Sequence, residues 1–150
     1  YLLQVSPAKD MVFNPAESIS FNGNTGPYLQ YMGARISSML RKYSDQDRGD
    51  APIAEADISL LTLQDEHDLI SLILQFPDIV EQAAEQMNPA VITSYLYDLS
   101  RLYSRYYHDT PIMRAEDPDL ALARVTLSQA LLQVLKNAFV LVGIPFLERM

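Results

Sequence analysis

The stretch Phe21-Asn-Gly-Asn-Thr-Gly-Pro-Tyr-Leu-Gln-Tyr-Met-Gly-Ala-Arg35 joins a glycine-rich turn to the start of an amphipathic helix. Residues 22–26 are turn formers, and Gly26 or Thr25 is placed to cap a helix. Pro27 favours the first helical turn, where its missing N–H leaves no hydrogen bond unmade. The sequence therefore predicts a helix that begins near residue 26 and continues to about residue 43.

The predicted helix carries two stripes of side chains. Tyr28, Tyr31 and Arg35 recur at intervals of three and four residues, so they share one face. An adjoining stripe is apolar and is expected to be buried; its members are Met32, Ile36, Met39 and Tyr43. Two phenols and a guanidinium beside a buried face suggest a surface that binds planar or anionic groups.

The composition limits the class of protein. The sequence has 150 residues, is 49% hydrophobic and contains no cysteine. This length and apolar content suit one globular domain with its own core. The lack of cysteine excludes a disulfide framework and a thiolate metal site, and it favours a reducing, cytoplasmic environment. The hydropathy pattern predicts neither a membrane span nor a signal peptide.

The net charge of −8 is unevenly distributed. Residues 45–85 contain eleven acids and one base, whereas Arg35, Arg41 and Lys42 lie together on the predicted first helix. An acidic chain is a poor candidate for binding nucleic acid through its overall charge. A polarised chain can nevertheless turn a basic face toward RNA and leave its acidic face in water.

The rest of the sequence reads as helices separated by polar segments. Residues 1–20 are interpreted as the tail of an upstream catalytic region with a connector, and residues 44–52 as a loop. Apolar residues recur at helical spacing in four segments: residues 65–76, a short helix starting at Pro77, residues 90–107, and a long helix that ends at Gly143. No segment predicts a strand. The predicted fold is all-α, a bundle of about five helices that spans residues 21–150.

No catalytic arrangement of side chains is visible. Glu66, His67 and Asp68 form a possible metal-binding group, but a solvated first helical turn is the preferred interpretation because a metal site needs convergent ligands. The glycines at 23 and 26 lack the Lys-Ser/Thr that follows them in a phosphate-binding loop, so they indicate a structural turn. We therefore expect the chain to be non-catalytic and to hold neither a metal nor a cofactor.

Nine tyrosines occur without a tryptophan. We expect Tyr103 and Tyr106 to lie at the margin of the core with their hydroxyls in water. Tyr28, Tyr31 and Tyr107 are candidates for stacking on splayed bases of single-stranded RNA, at about 1–3 kcal/mol per base. Tyr28 stands at the helix start and is expected to be the more exposed of the first two. The alternative is a helical protein-interaction domain with an aromatic groove.

The pattern Gly-Asn-Thr-Gly-Pro-Tyr-Leu-Gln-Tyr-x-x-x-Arg resembles the segment that opens the C-terminal helical domain of arginyl-tRNA synthetases. Three later segments resemble the same family: Tyr107-His108 followed by Pro-Ile, Leu120-Ala-Leu-Ala-Arg124, and Glu148-Arg-Met150. The chain departs from the family pattern at Leu147, where a proline is common, and at Met32-Gly33. The resemblance covers almost the whole chain and is weakest between residues 44 and 90.

This resemblance implies an anticodon-binding domain of the DALR type. It implies that Tyr28, Tyr31, Arg35, Tyr107 and Met150 line the site for the anticodon loop. The implied partners are arginine tRNA and the catalytic domain of a parent arginine–tRNA ligase, which uses ATP. A monomer that is not bound to a membrane is expected.

Overall fold

The computed structural model describes residues 2–6, 9–21, 23–45 and 56–150. Within these ranges the chain has five α-helices and no strand, which confirms the predicted all-α bundle. Nearly all of the loop predicted at residues 44–52 lies outside the described ranges, as does Asn22 of the predicted turn.

The bundle is built around its last helix. The α-helices are α1 (Pro15–Ser18), α2 (Gly26–Ser44), α3 (Gln64–Glu85), α4 (Ala90–Asp109) and α5 (Pro118–Val142), and 3₁₀ turns occupy Leu2–Gln4 and Ile58–Leu60. α3 packs along α4, and α5 contacts α2, α3 and α4. By length and composition α5 could cross a membrane. Because Leu131, Leu135 and Ala138 are completely buried, its central position accounts for that apolar character.

α2 begins as the sequence predicts. Thr25 is the capping residue, and its side-chain oxygen accepts the backbone N–H of Tyr28 at 3.3 Å. Gly26 and Pro27 then form the first helical positions. The apolar stripe is buried, with Met32 and Ile36 completely inaccessible to solvent. The cap and the stripe together fix which face of α2 remains free.

The separate short helix predicted from Pro77 does not exist, because α3 continues through the proline to Glu85. A proline inside a helix removes one backbone hydrogen bond and usually bends or ends the helix. Here contacts with α4 hold the helix beside the proline. The Tyr95 hydroxyl donates to the carbonyl of Leu72 at 2.9 Å, and the Tyr95 ring stacks on Phe76 at 5.8 Å.

The predicted solvated turn at the start of α3 is wrong for Glu66, which is completely buried. One carboxylate oxygen accepts from Nε of Arg124 at 2.8 Å and from the Tyr106 hydroxyl at 3.1 Å. The other accepts the backbone N–H of Leu63 at 2.9 Å. The acid is therefore buried because two other helices supply its hydrogen-bond donors, which the local sequence does not reveal.

The expectation that Tyr103 and Tyr106 keep their hydroxyls in water is also wrong, since both residues are completely buried. The Tyr103 hydroxyl donates to Ser128 at 3.0 Å, and the Ser128 hydroxyl donates to the carbonyl of Arg124 at 2.9 Å. Burial raises the pKa of both phenols well above the usual range, and the negative charge of Glu66 raises the pKa of Tyr106 further. These tyrosines belong to a buried polar network.

Residues before α2 contact the bundle instead of standing apart from it. The Thr93 hydroxyl donates to the carbonyl of Leu3 at 2.7 Å, and the Gln4 side chain donates to the carbonyl of Asn24. The first 3₁₀ turn therefore packs on α4. A division between connector and domain near residue 20 remains a prediction.

Replacing Arg124 with methionine should lower the free energy of unfolding by about 3–5 kcal/mol, because the variant leaves the Glu66 carboxylate buried without a counter-charge. The double variant Glu66→Leu/Arg124→Met should recover much of that loss, since an apolar pair needs no compensating charge. Denaturant unfolding measures both values.

The matched control is Arg105→Met. Arg105 donates to Asp65 at 2.6 Å, but its side chain is 59% exposed, so this change should cost far less stability than Arg124→Met. A double variant as unstable as Arg124→Met would show that lost packing, and not the unpaired charge, causes the instability.

Candidate functional site

The segment that follows α5 folds back across α2. Gly143 ends α5 with a left-handed backbone at φ 71°, which confirms its predicted position. The Gln30 side chain donates to the carbonyl of Pro145 at 2.9 Å, and Arg41 donates to the carbonyl of Glu148 at 3.2 Å. We call residues 144–150 the tail. These two hydrogen bonds place its last residues beside the free face of α2.

Gly33 permits the close approach of the tail to α2. A Cβ atom at this position would lie 2.8 Å from Cε2 of Phe146, which is closer than real Cβ contacts. The Phe146 ring also packs against Phe139, with ring centroids 6.2 Å apart, and Nζ of Lys136 lies 4.7 Å from its centroid. The Met32-Gly33 departure from the family pattern thus coincides with a tight contact between helix and tail.

The five predicted site residues lie along one groove. Its central depression, of about 420 Å³, is lined by Tyr31, Arg35, Tyr107 and Met150 among others. Tyr28 lines an adjoining depression of about 700 Å³, which shares Tyr31 and Met150 with the central one. The side chains that the sequence separates by up to 122 positions are therefore neighbours in the structure.

Arg35 and Tyr107 form the floor of the central depression. The guanidinium carbon of Arg35 lies 4.2 Å from the centroid of the Tyr107 ring. A cation over an aromatic face at a partly exposed site contributes about 0.5–1 kcal/mol. The ring of Tyr107 packs in turn on buried Tyr103, with centroids 6.1 Å apart. This stack holds the guanidinium in the depression, where its N–H groups remain available to a ligand.

The two tyrosines at the start of α2 differ in exposure, in the opposite order to the prediction. Tyr31 is 44% exposed, whereas Tyr28 is half-buried against the core. Tyr97 of α4 covers Tyr28, with ring centroids 5.8 Å apart, and burial raises the pKa of the Tyr28 phenol. Phe21 contacts Tyr31 edge to face at 6.5 Å. Tyr31 is therefore the more accessible ring.

The central depression is strongly basic. Arg35, Arg41, Lys42 and Arg149 all line it, and none of the described residues around it is acidic. The sequence pattern placed the first three on one helix but did not assign Arg41, Lys42 or Ser38 to the site. Arg149 lines the central depression only because the tail folds back across α2. The spacing of 35, 38 and 42 on α2 is the one sequence signal that could have extended the predicted site.

This arrangement of rings and cations is suited to binding a ligand. Exposed aromatic rings stack on planar groups, and guanidinium and ammonium groups attract phosphate. No group of three or more metal-ligating side chains converges in the part of the chain that the structure describes. The groove therefore fits a ligand with planar rings and a phosphate backbone.

Comparison with known proteins agrees with that chemistry. The sequence profile of the DALR anticodon binding domain matches residues 29–150. The arginine–tRNA ligases of Treponema pallidum subsp. pallidum and Borrelia turicatae are 54% and 42% identical to the chain over its whole length. The chain covers 26% and 25% of those two proteins. It thus spans about a quarter of the length of the curated relatives it matches.

Solved structures give the same result. The arginyl-tRNA synthetase of Thermus thermophilus superimposes with a TM-score of 0.84 at 33% identity, and that of Plasmodium falciparum with 0.84 at 27% identity. Each alignment covers 99% of this chain and 25% of the other. The five-helix arrangement is therefore shared with part of these larger proteins.

The variant Gly33→Ala should displace the tail, because its new methyl group would clash with the Phe146 ring. We expect an NMR shift of the Met150 methyl group toward the value of an unstructured peptide, since Met150 would leave the neighbourhood of Tyr31. The helix itself should persist, because alanine is favoured over glycine in helices by about 1 kcal/mol.

Gly26→Ala is the control, because no atom lies within 4 Å of a Cβ built there. It should leave the Met150 signal unchanged. An unchanged Met150 signal in Gly33→Ala would show that the tail does not depend on this close contact.

Proposed function

This chain belongs to the DALR anticodon-binding domain family, and we propose that it is the part of an arginine–tRNA ligase that holds the anticodon loop of arginine tRNA. The observation that carries the proposal is the groove along α2. In a chain of net charge −8, it gathers four cations beside the exposed ring of Tyr31 and the half-buried ring of Tyr107. The whole protein would attach arginine to this tRNA in the cytoplasm using ATP, and that reaction would take place outside the present chain.

In this proposal some site residues contact the RNA, and others support the wall of the groove. Tyr31 offers its ring to solvent and is the proposed platform for an unstacked base. Met150 is 60% exposed across the groove, and its flexible thioether can pack against such a base. Arg35 lies over the Tyr107 ring and can donate to a phosphate or a base edge. Tyr28, which is covered by Tyr97, supports the wall of the groove and contributes one edge.

The local charge makes this binding possible despite the acidic composition. Exposed charges interact only weakly beyond the Debye length, which is about 8 Å at physiological ionic strength. A phosphate in the groove therefore responds mainly to Arg35, Arg41, Lys42 and Arg149, and much less to acids elsewhere on the chain. The competing interpretation, a site for a partner helix, does not account for four cations in the same depression.

Tyr31→Leu should keep the helicity and melting temperature of the parent chain, because the ring is 44% exposed. Its affinity for an arginine anticodon stem-loop should fall by about 1–3 kcal/mol, which corresponds to about ten- to a hundredfold. Tyr31→Phe should lose less, since it keeps the ring. Circular-dichroism melting and titration with the stem-loop give the paired measurement.

Tyr28→Leu provides the contrast, because its ring packs on the core and should lower the melting temperature when removed. A stem-loop from another tRNA serves as the control ligand. A fall in melting temperature for Tyr31→Leu with a proportionate loss of binding would assign Tyr31 to the core and would contradict its role as a base platform.

Arg35→Ala should weaken stem-loop binding and reduce its dependence on salt. Loss of one phosphate contact lowers the slope of log K against log salt by about 1. Arg105→Ala is the matched control, because Arg105 is exposed but bound to Asp65 and lines none of the depressions along α2. The double variant Glu81→Lys/Glu85→Lys on α3 should cause no comparable loss. An Arg35→Ala slope equal to that of the parent would mean that Arg35 contacts no phosphate.

A further inference from the structure

The groove continues past the central depression to a third one at the far end of α2. This depression measures about 560 Å³ and is lined by residues 110–114 of the α4–α5 connection. It shares Met39, Lys42 and Tyr107 with the central depression, so the Tyr107 side chain lines both. We call this third depression the loop subsite. Neither the sequence pattern nor the family resemblance assigned any of residues 110–114 to binding.

The length of the groove requires more than one or two nucleotides to fill it. From Tyr28 to Lys42, α2 rises about 21 Å, at about 1.5 Å per residue. Stacked nucleotides in one strand follow each other at about 3.4 Å, and unstacked ones lie further apart. A single strand that crosses the central depression along α2 therefore reaches the loop subsite within a few nucleotides.

The loop subsite is preformed by the core. Ile112 is 4% exposed and belongs to the hydrophobic core, and half-buried Met113 packs against it. Nη1 of Arg124, from the buried pair with Glu66, donates to the carbonyl of Pro111 at 3.5 Å. Little ordering is needed when a ligand arrives, which favours binding.

The charges of the loop subsite fit a phosphate. Arg114 is exposed, and no carboxylate among the described residues lies within 4 Å of its guanidinium. Lys42, in the last turn of α2, lines the same depression. Asp45, which caps that helix, is the one acid among the described residues that line the subsite. Among these described residues, two cations thus outweigh one acid.

We propose that the loop subsite binds the nucleotide next to those held in the central depression, with Arg114 and Lys42 on its phosphate and Met113 against its base. This inference rests on the proposed RNA-binding function and extends it to a part of the chain with no assigned role. The bound segment is single-stranded, because only splayed bases can enter a groove of this size while their phosphates face the cations.

The experiment titrates the 150-residue chain and its variants with an arginine anticodon stem-loop at several salt concentrations. Arg114→Ala should weaken binding about two- to fivefold near 0.1 M salt and lower the salt slope by about 1. Arg114→Lys keeps a cation and should retain most of the affinity. Lys9→Ala removes one exposed charge outside the groove and should change neither quantity.

A second variant tests the same subsite through a change that should strengthen RNA binding instead of weakening it. Asp45→Asn removes an acid that lines the subsite together with Arg114 and Lys42, so it should tighten binding by a similar factor. Its effect on folding should be small, because a negative charge at a helix C-terminus is unfavourable in any case. Loss of structure therefore cannot imitate the expected result.

The possible outcomes separate the subsite from the function on which it depends. A parent chain that does not distinguish the arginine stem-loop from a control stem-loop would overturn both. A parent chain that binds, with Tyr31→Leu weakened but Arg114→Ala and Asp45→Asn unchanged, would overturn the loop subsite alone. If Arg114→Ala lowers the melting temperature, Asp45→Asn decides: tighter binding supports the subsite, and unchanged binding overturns it.

Discussion

The buried ion pair of Glu66 and Arg124 is the interaction on which the rest of the bundle depends. The carboxylate belongs to α3, the guanidinium to α5, and the Tyr106 hydroxyl that completes the cluster to α4. A buried charge is strongly unfavourable without its partners, so a shift of α3 or α5 along its axis would separate the charges and destabilise the fold. A shift of α4 would take the Tyr106 hydroxyl away from the carboxylate. The ion pair and the phenol together therefore favour one relative register of the three helices.

That register determines the geometry of the binding groove. Tyr107 follows Tyr106 in α4, so fixing one phenol on Glu66 orients the next ring toward Arg35 of α2. The guanidinium that pairs with Glu66 also holds the carbonyl of Pro111, which places the loop beside the groove. The opposite wall depends on the glycine at position 33, where the absence of a side chain lets the tail cross α2. The groove is therefore assembled from α2, the end of α4 with the loop that follows it, and the tail, which meet only in the folded chain.

Local interactions explain what the sequence predicts correctly, and distant partners explain what it does not. The cap at Thr25 and the buried stripe of α2 follow from spacing and backbone preference within a few residues. Glu66, by contrast, looks solvated until Arg124 arrives from 58 residues away. The residues of the groove show the same difference between local and distant contacts. Periodicity places the tyrosines of α2 on one face with Arg35, but only the family resemblance joined Met150 to them, because that contact crosses the chain. Burial of polar side chains is thus the property of this fold least visible in its sequence.

The same non-local assembly would let an acidic chain select an RNA loop, as the proposed function requires. Its cations contribute little to general attraction, since the net charge is −8 and exposed charges are screened within about 8 Å. In the proposed function they act where the fold concentrates them, beside rings that can stack on unstacked bases. A regular duplex keeps its bases stacked and offers phosphates without free ring faces. In the proposed function, selectivity for a single-stranded loop would therefore arise from holding Tyr31, Arg35 and Met150 together in one groove.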